Sequence, residues 1–427
     1  MSAYPQWLRL DNTANVYPAL RRRNWAFQFR FSATMSEPVD PVILQQAVYR
    51  TTARFPAFSV RLKRGVFWHF LQRIEGGPPV VLDGCCPCEP LRPEDNNGFY
   101  FRVSYYMSRL SVDFFHVLTD GTGAMSFFKT LLAEYLVLRY GIDITRDPMI
   151  LDCDGEPDPA EYEDSFQKYA EGATRVLNEK RSFRVRGARA PDGFVHVTCG
   201  TIPVDVILQK AREKGVTLTQ YLAAVLMMAF AEVQRREVRI QSRRAPISLL
   251  LPINLRNHFP SVTTRNFTGV VTPRIEPRLG DYSFNEVLTV VRNYMGSEIT
   301  PRLLKARFTA FVKQQRHPVL RFVPLFIKNG VLKLAHTYAG DRKSCTTFSN
   351  LGVCEMPPEM TPYIPRLDIM TGPLRKNPVS FSMVTYQGNL YIHMARTISS
   401  PKVVREFFTS LVKLGIPVRI ESNQQRQ

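Results

Sequence analysis

The sequence has no long apolar run. Residues 1–23 contain no continuous hydrophobic segment of the length that a secretory signal needs, so we expect no export. The most hydrophobic internal run, residues 223–230, is far shorter than the ~20 residues that cross a bilayer. Seven cysteines in a chain without such a signal suit reduced thiols better than a disulfide framework. We therefore predict a cytoplasmic protein with no membrane span.

Motifs for nucleotide and nucleic-acid binding are missing as well. The sequence contains no P-loop and no glycine pattern of a dinucleotide-binding fold. It also has no aromatic signature of an RNA-binding module. We predict no nucleic-acid partner.

Paired metal ligands are scarce. Cys85, Cys86 and Cys88 stand close together, which suggests zinc, but zinc takes four ligands that usually come as two spaced pairs. No second pair of Cys or His follows at a suitable spacing. We predict no metal and interpret the run as an exposed or partly buried loop of thiols, with zinc as the minor alternative.

Acidic residues are few relative to basic ones. The 427 residues include 56 Lys or Arg and 37 Asp or Glu, which gives a formal net charge of +19. Such a balance attracts anions, and by itself it does not distinguish phosphate-bearing ligands, an acidic carrier protein, nucleic acid and a membrane surface. With 44% hydrophobic residues, a chain of this length is expected to form two domains of roughly 200 residues.

Residues 114–123, FFHVLTDGTG, carry the strongest pattern in the chain. Alternate positions predict a strand with one apolar face, formed by Leu110, Val112, Phe114 and His116. Asp120, Gly121 and Gly123 follow, where a chain that turns from a strand into a helix needs unusual dihedrals or close approach. Apolar spacing predicts the helix over 124–140. A histidine at the mouth of a strand, with an acid and two glycines behind it, suits proton transfer.

The spacing of His116, Asp120 and Gly121 resembles the HxxxDG signature of the CoA-dependent acyltransferase superfamily. That family includes chloramphenicol acetyltransferase, alcohol acetyltransferases and the condensation domains of peptide synthetases. Three further segments are similar to family segments and come in the same order: LPINLR at 251–256, Arg265-Asn266-Phe267, and FSNLGV at 348–353. The aspartate-phenylalanine-glycine-tryptophan-glycine motif of the plant BAHD members is missing. The chain therefore resembles the alcohol acetyltransferase-like members most.

The resemblance covers nearly the whole chain and implies an α/β (α+β) fold. We expect two chloramphenicol-acetyltransferase-like subdomains, each a mixed sheet packed by helices, with a tunnel between them. We place the N-terminal subdomain with the HxxxDG motif at 1–180 and the C-terminal subdomain at 194–427. Between them, the basic and turn-rich residues 181–193 are predicted to be a solvated linker.

The resemblance also implies an acyltransferase that moves an acyl group, expected to be acetyl, from a CoA thioester to a hydroxyl or amine acceptor. His116 is the expected general base, since an imidazole with a pKa of ~6.5 can be neutral at cellular pH and accept the acceptor's proton. No covalent acyl-enzyme is required, because a thioester is already activated. Acyl-CoA is then a co-substrate, and we expect no tightly bound cofactor.

Asp120 has two interpretations. It orients the imidazole directly, as in a catalytic triad, or it forms an ion pair that holds the turn. The resemblance favours the ion pair, with Arg256 as the partner and Gly121 as a structural part of the motif.

The oxyanion needs a hydrogen-bond donor near the reacting carbonyl. Ser349 and Asn350 on the FSNLGV strand are the candidates that the resemblance supplies, with a plain structural turn as the alternative. Gly352 is expected to leave room for the acyl or pantetheine chain.

Two other functions stay open. One is a condensing or offloading enzyme of the same fold that takes its acyl group from an acyl carrier protein. The other is a non-catalytic basic protein that binds nucleic acid or acidic partners.

The densest basic region, 302–343, has ten Lys or Arg against one acid. It is either the solvated face of an amphipathic helical pair or a site for the phosphates of CoA.

Periodicity predicts the remaining elements. Helices are predicted over 41–55, 204–214, 219–233 and 401–414. Strands are predicted over 25–32, 99–106, 194–202, 247–251, 379–386 and 390–395, and a hairpin over 58–71 with Gly65 at its turn.

Overall fold

The computed structural model describes residues 5–21, 27–84, 86–176, 181–191, 194–335, 343–374 and 377–424. The strands in these ranges are β1 (Trp7–Arg9), β2 (Gln28–Thr34), β3 (Val60–Arg64), β4 (His69–Arg73), β5 (Val80–Leu82), β6 (Phe101–Tyr106), β7 (Arg109–Phe115), β8 (His196–Pro203), β9 (Ile247–Asn254), β10 (Thr268–Val271), β11 (Arg274–Ile275), β12 (Thr346–Val353), β13 (Arg366–Thr371), β14 (Val379–Tyr386), β15 (Asn389–Arg396) and β16 (Arg419–Ser422). The α-helices are α1 (Tyr17–Leu20), α2 (Pro41–Arg54), α3 (Gly121–Tyr140), α4 (Ser165–Tyr169), α5 (Val204–Glu213), α6 (Leu218–Glu237), α7 (Phe284–Glu298), α8 (Pro301–Arg316), α9 (Pro318–Phe322), α10 (Leu325–Ala335) and α11 (Lys402–Lys413).

The first large sheet holds the motif strand at its centre. Its order is β13-β2-β7-β6-β5, and β7 runs antiparallel to both of its neighbours. Leu110, Val112 and Phe114 are fully buried, in a core that also contains the inner faces of α2 and α3. The end of β7, where His116 follows, is therefore fixed by a packed core on one side and by strand pairing on two others.

Helix α3 begins directly after Asp120. The Asp120 carboxylate accepts hydrogen bonds from the N–H groups of Thr122 and Gly123, both at 3.1 Å, so it caps the helix. The helix ends at Gly141, whose φ of 65° is in the left-handed region that glycine adopts most easily. The motif aspartate thus defines where the turn after β7 ends and α3 begins.

The opposite face of β7 carries a buried ionic group. Asp113 is fully buried and accepts hydrogen bonds from Arg30 on β2 at 2.7 and 2.8 Å and from Arg102 on β6 at 2.9 Å. Burial alone would raise the pKa of Asp113, but the two guanidinium groups hold it below its usual range. The N–H of Cys88 also donates to Asp113, at 3.3 Å, so the cysteine-containing loop packs over this face of the sheet.

The second large sheet has the order β10-β9-β12-β14-β15-β8-β16, with β11 also paired to β9. It is mixed, because β12 runs parallel to both β9 and β14 while β15 runs antiparallel to β14 and β8. Helices α6 and α11 supply much of the apolar core on one face of this sheet. Thr217 and Gln220 form a reciprocal cap at the start of α6, which fixes where this long helix begins.

One strand of the second half of the chain joins the first sheet. β13 pairs antiparallel with β2 of the first sheet, although the predicted division assigns all of 194–427 to the second subdomain. The hydroxyl of Ser382 on β14 donates to the carbonyl oxygen of Ile369 at 3.0 Å, so β13 lies against the second sheet as well. Leu367 and Ile369 are buried. A short strand that is apolar in this way can pair with either sheet, and its composition does not reveal which.

The segment predicted to be a solvated linker is packed in part. Phe183 and Val185 are buried in the core of the second sheet. The hydroxyl groups of Ser182 and Ser248 share a hydrogen bond of 2.7 Å. Apolar residues that alternate with the arginines therefore anchor residues 182–185 to the second half, while residues 192 and 193 lie outside the described ranges.

Most other predicted elements are present with small shifts at their ends. The predicted hairpin is β3 and β4, and the N–H of Gly65 donates to the carbonyl oxygen of Trp68 at 2.9 Å across the turn. Strand β14 has the predicted bounds. The basic region forms three helices, α8, α9 and α10, rather than a pair, and residues 336–342 lie outside the described ranges.

No single helix in the described ranges is long and apolar enough to cross a membrane. Helices α5 and α6 meet that test of length and composition only together, and they are bent by 86°.

Candidate active site

His116 follows the last residue of β7. Its N–H donates to the carbonyl oxygen of Phe27 at 2.9 Å, which extends the pairing with β2 past the end of the strand. Its imidazole is stacked on the ring of Tyr17, with 5.1 Å between ring centroids, and lies 4.8 Å from the ring of Phe29. These two aromatic rings pack against the imidazole. Its two nitrogen atoms are the groups that can form hydrogen bonds and transfer protons.

Asn266, from the second half of the chain, contacts the imidazole directly. Its Oδ1 lies 3.2 Å from Nδ1 of His116. Its Nδ2 donates to Oδ2 of Asp11 at 3.0 Å and to the carbonyl oxygen of His116 at 3.1 Å, which fixes the orientation of the amide. Because an amide oxygen can only accept, Nδ1 carries the imidazole proton and Nε2 keeps its lone pair. The arrangement therefore prepares Nε2 as a base.

A buried carboxylate lies behind Asn266. Asp11 accepts from Asn266 and, at 2.8 Å, from the N–H of Ala14. Burial raises the pKa of Asp11 to about 6, while the Arg265 guanidinium, 3.8 Å away, opposes the shift. Asp11 accepts from the amide nitrogen of Asn266 and so holds that amide in place.

The surroundings of the imidazole favour its neutral form. Burial lowers the pKa of His116 below its usual value, and the hydrogen bond with Asn266 and the charge of Asp120 oppose this shift. A lower pKa means a larger fraction of free base at pH 7. The environment thus favours the form of His116 that accepts a proton.

Asp120 joins the motif turn to the second half of the chain. Its Oδ2 accepts from Nη1 of Arg256 at 2.9 Å, from the N–H of Phe267 at 2.7 Å and from the hydroxyl of Thr268 at 2.8 Å. Burial alone would raise the pKa of Asp120, but Arg256 and the backbone donors hold it below its usual range. Within the part of the chain that the structure describes, the carboxylate makes no hydrogen bond to the imidazole of His116. The geometry is that of the ion pair rather than of a triad.

Arg256 supports the loop that carries Asn266. Its Nε and Nη2 donate to the carbonyl oxygen of Thr263 at 3.0 and 2.8 Å, and Nη2 also donates to that of Arg265 at 2.6 Å. The Asp120–Arg256 pair therefore acts on His116 through this loop, because it fixes the backbone on both sides of Asn266.

Two motif glycines lie where the chain packs closely, and only Gly123 faces backbone that cannot move aside. A Cβ at Gly123 would overlap the carbonyl oxygen of Thr264, and one at Gly121 would lie 2.8 Å from Cδ2 of Leu351 on β12. The start of α3 therefore touches both the Asn266 loop and β12.

Strand β12 presents Ser349 and Asn350 on opposite sides. Phe348 is buried and stacks on Phe381 in the second core, and Asn350 lies on the same side, where its Nδ2 donates to Oγ1 of Thr219 at 2.8 Å. Ser349 lies on the other side and is half-buried. Its hydroxyl has no hydrogen-bond partner among the described residues. Of the two predicted oxyanion donors, Asn350 already bonds to Thr219, whereas Ser349 makes no side-chain hydrogen bond to a described residue.

Gly352 is explained by its backbone. Its φ of 78° is in the left-handed region, and a Cβ there would meet nothing within 4 Å. Its N–H donates to Oδ1 of Asn350 at 2.8 Å in the irregular end of β12.

The described part of the cysteine run lies in a partly buried loop. Burial raises the pKa of the Cys88 thiol, and Cys86 is half-buried, while Cys85 lies outside the described residues.

One group in the described ranges, Cys199, Asp368 and His393, has its ligand-type atoms within 4.8 Å of one another. Arg366 contacts two of its members, since Nη2 lies 3.2 Å from Sγ of Cys199 and Nε lies 2.9 Å from Oδ1 of Asp368. This guanidinium supplies the positive charge that a metal ion would bring, so we interpret the group as an ion-pair network.

The sequence matches no family model and no curated protein. Solved structures match it over nearly its whole length. Polyketide synthase associated protein 5 from Mycobacterium tuberculosis is 15% identical with a TM-score of 0.63, over 96% of this chain and 98% of that one. TRI101 from F. graminearum, complexed with coenzyme A and T-2 mycotoxin, is 12% identical with a TM-score of 0.65, over 97% and 99%. The starter condensation domain of rhizomide synthetase RzmA, in complex with C8-CoA, is 11% identical with a TM-score of 0.57, over 96% and 94%.

The protein has the acyltransferase and condensation-domain fold. The predicted fold class, with mixed sheets packed by helices in two subdomains, is confirmed. The boundary at 181–193 and the tunnel between the subdomains stay predictions.

Sequence reasoning missed part of the candidate site in this acyltransferase fold. It found Asn266 as a motif residue without a role, and it did not single out Asp11 or Tyr17. Asp11 comes just before Asn12 and Thr13, where an acid is expected to form a local turn. The sequence does contain one signal for Asn266, the Asn266-Phe267 step. This step marks a segment near the motif, but it does not show that the Asn266 amide contacts the imidazole of His116.

Proposed function

We propose that the protein is a CoA-dependent acyltransferase that moves an acyl group, expected to be acetyl, to a hydroxyl or amine acceptor. The observation that carries the proposal is the hydrogen bond between Nδ1 of His116 and Oδ1 of Asn266, which leaves Nε2 as a neutral, oriented base. Structures of this fold in complex with coenzyme A and C8-CoA support the choice of donor.

In the proposed reaction, Nε2 of His116 accepts the acceptor's proton as its oxygen or nitrogen attacks the thioester carbonyl carbon. The carbonyl electron pair moves to the oxygen and forms an oxyanion. When the carbonyl re-forms, the C–S bond breaks and the imidazolium gives its proton to the departing thiolate. The products are an ester or amide and the free thiol of CoA, and the base is regenerated without an acyl-enzyme.

We assign the oxyanion donor to Ser349 rather than Asn350. The amide of Asn350 already bonds to Thr219 on the core side of β12, whereas the hydroxyl of Ser349 lies on the side of Leu351, which contacts Gly121. A donor that is not used by the protein can turn to the oxyanion as charge develops on it.

We propose that basic residues of the second half bind the phosphates of CoA. The contacts of α8 show which of them are available. Lys305 is paired with Glu171 and Arg307 with Glu298, so both have protein partners. On α8, Arg302 and Lys313 are both exposed, and the ammonium of Lys313 donates to the carbonyl oxygen of Gly172 at 2.8 Å. Arg302 is therefore the better candidate for a phosphate contact.

A carrier-protein donor is the second candidate function. The similarity to a condensation domain favours it, and the net charge of +19 suits an acidic carrier. A non-catalytic binding protein is the weaker alternative, since binding alone does not require a histidine whose tautomer is fixed by a buried amide and carboxylate.

Release of thiol from acetyl-CoA tests the proposal, with purified wild type and His116→Ala and a panel of alcohols and amines. We expect acceptor-dependent release by wild type and none by His116→Ala, with unchanged circular dichroism. His317→Ala is the control, because His317 is exposed at the start of α9. Full activity of His116→Ala would refute the proposal. If wild type releases no thiol with any acceptor but is active with an acyl carrier protein as the donor, the carrier-protein-dependent function is established.

A further inference from the structure

Helices α9 and α10 expose an unusual number of large apolar side chains. Between 44% and 74% of each remains accessible to solvent, for a set that we call the apolar ridge: Val319, Phe322, Phe326, Ile327, Val331 and Leu334. Leu325 is buried and attaches α10 to the body of the protein. Single exposed apolar residues are ordinary, but a continuous set on adjacent helices marks an interaction surface.

The tip of the β3–β4 hairpin extends this surface. The N–H of Leu325 donates to the carbonyl oxygen of Val66 at 2.9 Å, and the ring of Phe67 lies 6.3 Å from that of Phe322, edge to face. The ammonium of Lys328 donates to the carbonyl oxygen of Phe67 at 3.0 Å and sits 3.4 Å from the centre of the Trp68 ring. Val66 is 73% exposed. Hairpin and helices therefore form one surface with apolar and aromatic groups at its outer side.

The charged side chains of the helices and the hairpin that form this surface are all basic. Residues 301–335 and 59–73 contain no Asp or Glu. Arg321 and Lys333 are exposed beside the ridge, and Arg61 and Arg64 are exposed on the hairpin. Large apolar and aromatic side chains surrounded by Lys and Arg, without acids, are the composition of helices that lie in the interface of anionic membranes.

The surface adjoins the candidate active site. Helix α10 packs against α1, which carries Tyr17, and Tyr17 stacks on His116. The Nε2 of Gln315, at the end of α8, donates to the carbonyl oxygen of Asn12 at 3.1 Å. The segment that encloses the imidazole is therefore contacted by α10, which carries part of the ridge, and by α8, which comes just before α9 in the chain.

We propose that the apolar ridge and the hairpin tip bind the surface of an anionic lipid bilayer, and that the protein takes an amphiphilic, membrane-dissolved acceptor there. The part that concerns the acceptor rests on the proposed acyltransferase function. Basic side chains meet the lipid phosphates, and the ridge enters the boundary between headgroups and acyl chains. An acidic carrier protein would satisfy the basic residues, but the six exposed apolar side chains of the ridge suit the apolar boundary of a bilayer better.

Co-sedimentation with vesicles tests the binding. We compare vesicles of phosphatidylcholine alone with vesicles that contain 30% phosphatidylglycerol, a composition of about one anionic lipid in three. We expect wild type to bind the anionic vesicles and to be released at 1 M salt, where the Debye length falls to ~3 Å. In the double variant Phe322→Ser/Phe326→Ser the partition coefficient should fall by about tenfold or more.

The control is Val262→Ser/Leu279→Ser, which removes two apolar side chains that are 61% and 74% exposed elsewhere on the surface. It should bind vesicles as wild type does. Absence of wild-type binding, or equal binding by the ridge variant, would overturn the proposal. Binding of an acyl carrier protein that is lost in the ridge variant, without any vesicle binding, would assign the surface to the carrier instead.

Acyl transfer is measured separately, to a short soluble alcohol and to a long-chain alcohol in anionic vesicles. The ridge variant should keep its rate with the soluble alcohol and lose about tenfold with the vesicle-bound one. Vesicle binding with no transfer to any acceptor would reject the enzyme and leave the binding surface. Transfer to the soluble alcohol without vesicle binding would reject the surface and leave the enzyme.

Discussion

Oδ1 of Asn266 lies 3.2 Å from Nδ1 of His116, and the Nδ2 of the same amide is held by Asp11. A carboxylate in direct contact with the imidazole would stabilise the imidazolium and raise the pKa of His116. A neutral amide fixes the tautomer without adding a charge. The site therefore orients its base through Asn266 and keeps the carboxyl group of Asp11 one residue further away.

The first prediction concerns the pH dependence of acyl transfer. Burial holds the pKa of His116 below its usual value of 6.5, and the neutral form is the base, so kcat/KM of wild type should decline only below pH 6.5. In Asn266→Asp the new carboxyl group contacts Asp11, so we expect the two to share one proton. Their negative charge then lies against Nδ1 and raises the pKa of His116, so the acid limb should move to higher pH. The pH profile of kcat/KM for thiol release measures this. An unchanged limb in a folded Asn266→Asp variant would show that Asn266 does not control the base.

The second prediction concerns the orientation of the base. Asn266→Ala removes the acceptor for Nδ1–H, so the imidazole no longer favours the tautomer with a free Nε2. We expect kcat to fall by on the order of 10²-fold with a smaller change in KM, because the acceptor and donor still bind. Asn257→Ala is the matched control, since Asn257 is exposed on the preceding turn. Wild-type kcat in Asn266→Ala would contradict the positioning role.

The third prediction concerns the Asp120–Arg256 pair. Asp120→Ala leaves Arg256 buried without its counter-charge, which should cost about 3 to 5 kcal/mol in the free energy of unfolding. In the double variant Asp120→Ala/Arg256→Met, the loss should be smaller than the sum of the single losses, because the two side chains contact each other. Urea denaturation followed by circular dichroism measures all three variants.

Arg235→Ala is the control for this cycle, since it breaks an exposed pair with Glu232 and should leave the free energy of unfolding nearly unchanged. Asp120→Asn tests the alternative. A variant with wild-type stability and no activity would favour direct orientation of the imidazole by Asp120 over the ion pair.

The fourth prediction concerns Gly123. A Cβ at this position overlaps the carbonyl oxygen of Thr264, which is backbone and cannot rotate away. Gly123→Ala should therefore lower the free energy of unfolding by about 3 kcal/mol, at the upper end of overpacking effects. Gly296→Ala, on the exposed side of α7 with nothing within 4 Å of its Cβ, should raise it by up to ~1 kcal/mol. Equal stabilities of the two variants would show that the start of α3 moves away from the Asn266 loop.

The sequence was sufficient to predict the strand, the turn and the helix around His116, because local patterns report them directly. The alternation at Leu110, Val112 and Phe114 directly reflects burial on one face of β7, and Asp120 caps the helix that follows it. Contacts between distant segments carry no such local signal. Asp11 reaches Asn266 across most of the chain, and β13 chooses its sheet by tertiary packing. For that reason the base was predicted and the residues that orient it were not.

The last prediction concerns the oxyanion donor, where the two candidates are neighbours on β12. Ser349→Ala removes a hydroxyl that bonds to no described residue, so the fold should be unaffected and kcat should fall by about 10²- to 10³-fold, as for loss of one oxyanion donor. Asn350→Ala removes the bond to Thr219 and the acceptor for the N–H of Gly352, so it should lower the stability of the end of β12 more than it lowers kcat. Single-turnover rates and urea denaturation, measured for both variants, separate the two roles. A loss of activity in Asn350→Ala with full activity in Ser349→Ala would exchange the assignments, and would require the Asn350 amide to leave Thr219 when the thioester binds.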